Sequence, residues 1–324
     1  MTDTHKESRD VLLMAETVAA KMYGRYPPRG PSQRPTGYAR GIDFYSERDF
    51  IQVIANIYLA YREKGGMYPN LIEPELYSEK LNTLKLLSWM RLPESGNKLL
   101  TANFLIPEAR PLLLIPEVVW RSTRAILPLN GSIPDGEYFF KANHGSGFFR
   151  RIRYPLTLED RIVLESLGRR WLKLDYGLHL GEWWYNVFEK AVFLERSVTG
   201  RNPSAVILFY MFRERVGLIS VDEKLTDGTG RTRESLFDSS FCLLPDQIVD
   251  SEPVSNFYLS DDTKERALAA AETIGRQFEA VRVDVIPGDN GELYLNEITF
   301  SSQAGLPLQN TDRDLNMGRM WGDC

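Results

Sequence analysis

Two short runs near the end of the chain set carboxylates and an arginine at strand spacing. In Val281-Arg282-Val283-Asp284-Val285 apolar and charged residues alternate, so Arg282 and Asp284 share one face of an extended strand. Residues 293–299 (LYLNEIT) place Glu297 and Thr299 on a common face in the same way. Between the runs, Asp289-Asn290-Gly291 is a strong hairpin signal. Such a hairpin brings Arg282, Asp284, Glu297 and Thr299 together. Oxygen ligands on adjacent strands suit Mg2+, which takes carboxylates, water and phosphate. An adjacent arginine suits phosphate, because its fork is rigid and always charged. A surface hairpin with a polar outer face would show the same alternation.

A second group centres on Lys141, which ends the apolar run YFFKA and leads into Asn143, His144, Gly145, Ser146 and Gly147. A lysine in an apolar strand is costly without an anionic partner. A Gly/Ser loop after it can lay backbone N–H groups on a phosphate. The plain alternative is a lysine snorkelling from a strand end into an ordinary turn. For His144 a role in the loop's structure is favoured over contact with phosphate. A third, weaker signal is Glu195, which ends the run AVFLE and is followed by Arg196, Ser197 and Val198. An extended connector there, the hinge at 196–200, can offer backbone groups to a purine edge, and the glutamate can accept from an amino group.

The elements that must hold these residues are legible from periodicity. Apolar residues recur at helical spacing over 11–22, 50–62, 79–89, 158–174 and 263–278, the last with Ala267, Leu268, Ala271 and Ile274 on one face. A further helix is expected near 97–104. Strands are expected at 138–142, 191–195, 205–213, 280–286 and 292–299. Residues 26–36 (YPPRGPSQRPT) predict a loop, and Gly65-Gly66 a break. Trp171, Trp183, Trp184 and Tyr185 could line a sugar-binding surface, but core packing is the favoured expectation.

Composition narrows the function. Hydrophobic residues at 43% and charged residues at 26% are ordinary for a globular chain. A formal net charge of -5 argues against nucleic acid as the main partner. Cys242 and Cys324 offer neither a disulfide framework nor a zinc spacing. No apolar run is long enough to predict a membrane span, and the opening residues MTDTHKESRD do not read as a signal peptide. A cytoplasmic setting is expected. No Gly-x-Ser-x-Gly elbow or Cys/His pairing points to a side-chain nucleophile.

Taken in order, these runs resemble the ATP-grasp superfamily, and more closely its TupA-like branch of teichuronopeptide biosynthesis. The resemblance is carried by KANHGSG at 141–147, FLER at 193–196, VRVD at 281–284 and NEITF at 296–300 followed by Ala304-Gly305, with LYSEKL at 76–81 and Gly96-Asn97-Lys98 upstream. It covers roughly residues 67–322. It implies an α+β fold in which two subdomains grip ATP between antiparallel sheets, with an extra helical N-terminal segment. The implied division is an N-terminal extension over 1–66, a region preceding the ATP-grasp core over 67–135, a small subdomain over 136–200 and a large one over 201–324.

The resemblance also implies roles. Lys98 and Lys141 would hold the ATP phosphates, with Gly145, Ser146 and Gly147 as a flexible cover. Glu195 and the backbone of Ser197 and Val198 would hold adenine. Asp284 and Glu297, with Thr299 as a third ligand, would hold Mg2+, and Arg282 would steady the transferred phosphoryl group. The implied activity is an ATP-dependent carboxylate–amine ligation through an acylphosphate. Its substrates would be a small-molecule or glycan-linked carboxylate and an amine, in cell-surface polysaccharide or peptide-polymer synthesis, in association with a membrane-bound assembly system. Two alternatives are a kinase acting on a sugar or small-molecule hydroxyl and a non-catalytic nucleotide-binding protein. The chain departs from the branch at Val206-Ile207-Leu208, where an Asp-Tyr-Lys type start would be expected. It also lacks an evident ribose-binding acid after the hinge, Asn202 being nearest.

Overall fold

The computed structural model describes residues 2–25, 47–87, 92–200, 205–224, 232–245, 251–254 and 259–322. The loop expected at 26–36, the end of the helix expected at 79–89, and Asn202 lie wholly or partly outside them. Along the chain run α1 (Thr2–Arg25), α2 (Glu47–Gly65), α3 (Tyr77–Leu87), α4 (Leu92–Gly96), β1 (Val118–Ser122), β2 (Gly136–Ala142), β3 (Phe149–Tyr154), α5 (Leu158–Lys173) and β4 (Val192–Arg196). They are followed by β5 (Ala205–Phe212), β6 (Arg215–Lys224), β7 (Thr232–Phe237), α6 (Asp261–Gly275), β8 (Val281–Pro287), β9 (Leu293–Thr299) and α7 (Thr311–Gly322). The architecture is α+β with two antiparallel sheets, as the resemblance implies. The segment expected to be helical near 97–104 is a 3-10 helix, Lys98–Phe104.

The chain divides into two compact units. One, helical, comprises Met1–Gly96, Asp175–Glu189 and Phe300–Asp323. Val11, Ala15, Val18 and Met22 on α1, and Val53, Ile54, Ile57 and Tyr61 on α2, are buried at helical spacing. Helix α2 stops where Gly66 takes φ +73°, and the Gly66 N–H donates to the Arg62 carbonyl at 2.8 Å. Asp314 on α7 accepts from the Ser78 N–H at 2.8 Å and the Ser78 hydroxyl at 2.6 Å. Lys85 is fully buried and donates to the carbonyls of Leu180 at 2.8 Å and Ala304 at 2.6 Å. Burial pushes its ammonium down to about 8, against the opposing charge of Glu182. Trp183, Trp184 and Tyr185 are all buried, with the Trp183 indole N–H on the Lys85 carbonyl at 3.0 Å. They are core residues, not an exposed sugar platform.

Helix α7 crosses the segment before α3 at Gly318, where an added Cβ would lie 2.0 Å from the Glu75 carbonyl oxygen. Gly318→Ala is therefore expected to destabilise this unit by about 1–3 kcal/mol or more, read as a lower thermal midpoint. Gly322→Ala is the control, since a Cβ there meets only the Lys80 ammonium, at 3.2 Å.

The second unit comprises Asn97–Leu174 and Lys190–Thr299. Its first sheet has the order β1-β4-β2-β3. Tyr138, Phe140 and Ala142 on β2 and Val192 and Leu194 on β4 alternate onto a core with Leu164 and Trp171 of α5. Trp171 stacks on Phe140 at 5.3 Å between ring centroids, so it too is core. Thr157 caps α5 by accepting the Asp160 N–H at 3.1 Å. The second sheet has the order β7-β6-β5-β8-β9. The expected hairpin 280–299 is β8 and β9, and apolar β5 is the central strand.

Candidate active site

The hairpin register sets the first half of the site. Arg282 lies opposite Thr299 and Asp284 opposite Glu297. The next pair is Val285 with Leu295, which leaves Asn296 as an extra residue on β9. This bulge explains a pattern that simple alternation does not. Leu295 and Glu297 are two residues apart, yet Leu295 is fully buried with the core while Glu297 lies opposite Asp284 on the polar face. The other side of β8 continues onto β5, with Arg282 opposite Tyr210 and Asp284 opposite Leu208. The polar face is thus the row Thr299–Arg282–Tyr210 beside the row Glu297–Asp284–Leu208.

Side chains on that face are tightly paired. Arg282 donates from Nε to Asp284 Oδ1 and from Nη2 to Asp284 Oδ2, both at 2.7 Å, and from Nη2 to the Thr299 hydroxyl at 3.2 Å. Asp284 is only 3% exposed, so this is not the outer face of a surface hairpin. Burial alone would lower the Arg282 pKa. The charge and hydrogen bonds of Asp284 outweigh it and hold the guanidinium well above its ordinary value. Burial pushes the Asp284 carboxyl up, and Arg282 opposes that shift.

The second half comes from the other sheet and the segment before it. The Lys98 N–H donates to the Asn143 carbonyl at 2.9 Å, which seats the 3-10 helix on the start of the glycine loop. The Lys98 ammonium then donates to the Gly145 carbonyl at 2.6 Å and to Glu297 Oε1 at 3.2 Å. One cation therefore joins the loop to the hairpin. Gly145 and Gly147 take φ of +69° and +77°, conformations that favour glycine. Ser146 and Gly147 are exposed, while His144 is fully buried, with Nε2 3.1 Å from the Trp171 carbonyl and its ring edge-on to Phe148. His144 is part of the loop's foundation.

Lys141 finds its carboxylate on β4. It pairs with Glu195 at 2.5 Å, across from Phe139, whose ring centroid lies 5.5 Å from the ammonium. The anionic partner that an apolar strand demands of its lysine is thus Glu195. At the hinge, the Ser197 N–H donates to the Glu137 carbonyl at 3.0 Å, and the Val198 carbonyl accepts the Asp289 N–H at 3.2 Å. The Ser197 carbonyl and Val198 N–H make no hydrogen bond among the described residues.

For a metal, the expected donors are Asp284, Glu297 and the Thr299 hydroxyl, all hard oxygens, with both Asp284 oxygens and the Thr299 hydroxyl accepting from Arg282. Among the described residues no group of three His, Cys, Asp or Glu could cage an ion. Two carboxylates completed by phosphate oxygens are how proteins commonly hold Mg2+, so the residues fit that ion in company with a nucleotide.

Other residues gain their part in the site from the fold. Asn143, buried, donates from Nδ2 to Asn97 Oδ1 at 3.1 Å and accepts the Ala191 N–H at 2.8 Å. Asn97 in turn caps the 3-10 helix of Lys98. Arg151 on β3 pairs with Glu137 and donates to the Thr199 carbonyl at 3.1 Å. Asn97 and Asn143 stand within the runs that carry the resemblance, which was the available signal for them. Arg151 lies in the charged run FRRIRY, which carries none.

No protein-family model matches the sequence, and no curated protein matches it. Solved structures are similar to it. The ATP-grasp ligase PsnB, complexed with a minimal precursor, matches over 79% of this chain and 62% of its own, at 13% identity and a TM-score of 0.37. VanG D-Ala:D-Ser ligase from Enterococcus faecalis matches over 70% and 60%, at 14% identity and a TM-score of 0.41. D-alanine–D-alanine ligase from Bacillus anthracis, complexed with ATP, matches over 71% and 65%, at 14% identity and a TM-score of 0.40. The matches thus span less than two thirds of these proteins' lengths. Among the described residues no helix is long and apolar enough to cross a membrane.

Proposed function

We propose that this chain is a Mg-ATP-dependent carboxylate–amine ligase of the ATP-grasp type, forming an amide through an acylphosphate. The observation that carries this reading is the Lys98 ammonium, which touches both the Gly145 carbonyl and Glu297. It draws a glycine loop and an Arg–Asp–Thr–Glu hairpin face into one site. Two sheets contribute cations and oxygen donors to it, and the reading needs no side-chain nucleophile. That inventory suits phosphoryl transfer, where positioning and charge neutralisation supply most of the catalysis.

In this reading Lys98, Lys141 and Arg282 offset the negative charge of the phosphates. Asp284, Glu297 and Thr299 would hold Mg2+, which would withdraw charge from the phosphate oxygens when bound. Glu195, with the Ser197 carbonyl and Val198 N–H, would meet the adenine edge. The Ser197 N–H is already taken by Glu137. A substrate carboxylate oxygen attacks the γ-phosphorus as the bond to ADP breaks. The amine nitrogen then attacks the acyl carbon, phosphate leaves, and the amine gives up a proton. The loop 145–147 would exclude water, which would otherwise hydrolyse the acylphosphate.

The finer reading places the chain in the TupA-like branch, acting in the cytoplasm on an acid and an amine of surface-polymer assembly. It rests on the motif resemblance. Leu208 bears on the substrate. It stands opposite Asp284 where the branch's strand motif would end in lysine. The acceptor side of the site therefore lacks that cation.

Phosphate release from Mg-ATP across a panel of carboxylates and amines tests the proposal. Sustained turnover is expected only with both substrates present. A stable phosphorylated product formed without amine would instead establish hydroxyl phosphorylation. Nucleotide binding without turnover across a broad panel would overturn catalysis.

A further inference from the structure

Asp289 in the β8–β9 turn does more than turn the chain. Its Oδ1 accepts the Thr199 hydroxyl at 2.9 Å and its Oδ2 accepts the Gly200 N–H at 2.5 Å. Its own N–H donates to the Val198 carbonyl at 3.2 Å. One residue thus makes three bonds to three successive hinge residues about ninety positions earlier in the chain. The neighbouring glycine makes that approach sterically feasible. A Cβ on Gly288 would lie 3.2 Å from the Val198 oxygen and 2.7 Å from both Asn290 Oδ1 and a Tyr294 ring carbon. From the other side, Arg151 donates to the Thr199 carbonyl and the Ser197 N–H is held by Glu137. The hinge is pinned on both flanks, and the Ser197 carbonyl and Val198 N–H remain between the pins.

We infer that Asp289 is a positioning residue for the nucleotide base. It locks residues 198–200 so that the donor and acceptor left at 197–198 stand ready for a purine edge. It also ties that hinge to the hairpin carrying Arg282, Asp284, Glu297 and Thr299, so the base end and the phosphate end keep a fixed spacing. A bare turn at this position would need no carboxylate, since Asn or Gly serves as well. Two charge-assisted bonds to a distant hinge are the feature that a turn role leaves unexplained. This inference rests on the nucleotide-binding reading proposed above.

The test compares Asp289→Ala and Asp289→Asn with the full-length wild type, using calorimetric binding of the non-hydrolysable analogue AMP-PNP with Mg2+. Losing a pair of hydrogen bonds to a charged group is expected to weaken binding about tenfold in Asp289→Ala. The asparagine variant, which keeps one acceptor and can donate to the threonine hydroxyl, should stay within about threefold of wild type. In phosphate-release assays the alanine variant should raise the KM for ATP while leaving kcat and the KM of the other substrates nearly unchanged. Amide hydrogen exchange at Gly200, measured without nucleotide, should accelerate in Asp289→Ala only. Unchanged AMP-PNP affinity in Asp289→Ala, or an equal loss in Asp289→Asn, overturns the inference and leaves the proposed function standing. Wild-type protein that binds no AMP-PNP overturns both.

Discussion

Glu297→Gln is expected to lower kcat for Mg-ATP-dependent turnover by about 100- to 1000-fold, the scale seen when one preorganised electrostatic contact to developing charge is removed. The substitution changes charge and little else. Glutamine keeps the length of the side chain and an oxygen that can accept from the Lys98 ammonium, now 3.2 Å from Glu297 Oε1. Lys98 also retains the Gly145 carbonyl at 2.6 Å. The loop should therefore stay seated, and the thermal midpoint should hardly move. What is lost is one of two carboxylates in cross-strand register. In the proposed site a magnesium ion held mainly by phosphate would feel that loss strongly, because Mg2+ selects hard, anionic oxygen. Binding of Mn2+ with AMP-PNP, followed by electron paramagnetic resonance, should weaken in parallel with kcat. A Glu297→Gln enzyme with wild-type turnover would remove the hairpin from the chemistry altogether.

The sequence exposes the hairpin because its chemistry is local. Strand alternation and a DNG turn suffice to put Arg282, Asp284, Glu297 and Thr299 together, and all four are together in the fold. The bulge at Asn296 is invisible to alternation, because one extra residue switches faces without changing composition. Lys141 and its glycine loop were legible for the same local reason. That Lys98 grips the loop was not, since it depends on contacts across 47 and 199 positions. Strands β3, β6 and β7 escape periodicity because FRRIRY, RVGLISVDEK and TRESLF are too charged or irregular to alternate cleanly. Helix α7 carries two glycines and owes its form to tertiary contact, with Asp314 on Ser78 and Gly318 against Glu75. The helical unit is assembled from three separate segments, an arrangement that no run of residues announces.

Arg282→Met is expected to cost about 3–5 kcal/mol of stability, the usual penalty for stranding one partner of a buried ion pair. Asp284 is nearly inaccessible and receives two hydrogen bonds from that one guanidinium. Without them its carboxylate must stay buried unpaired or take up a proton. The same substitution is expected to abolish measurable turnover, but a destabilised protein would lose activity for either reason. The double variant Arg282→Met with Asp284→Leu separates the two. Replacing a buried ion pair by apolar side chains of similar size is often neutral for stability. The double variant should therefore recover most of the thermal midpoint, and the non-additivity of the two changes measures the pairing. Turnover should stay abolished, because neither the cation proposed to meet the phosphates nor the carboxylate returns. Recovery of both stability and activity would make the pair a structural cross-link and would place the reacting phosphate elsewhere. Recovery of stability alone assigns Arg282 and Asp284 to the chemistry, held ready by each other until a nucleotide offers its own charges.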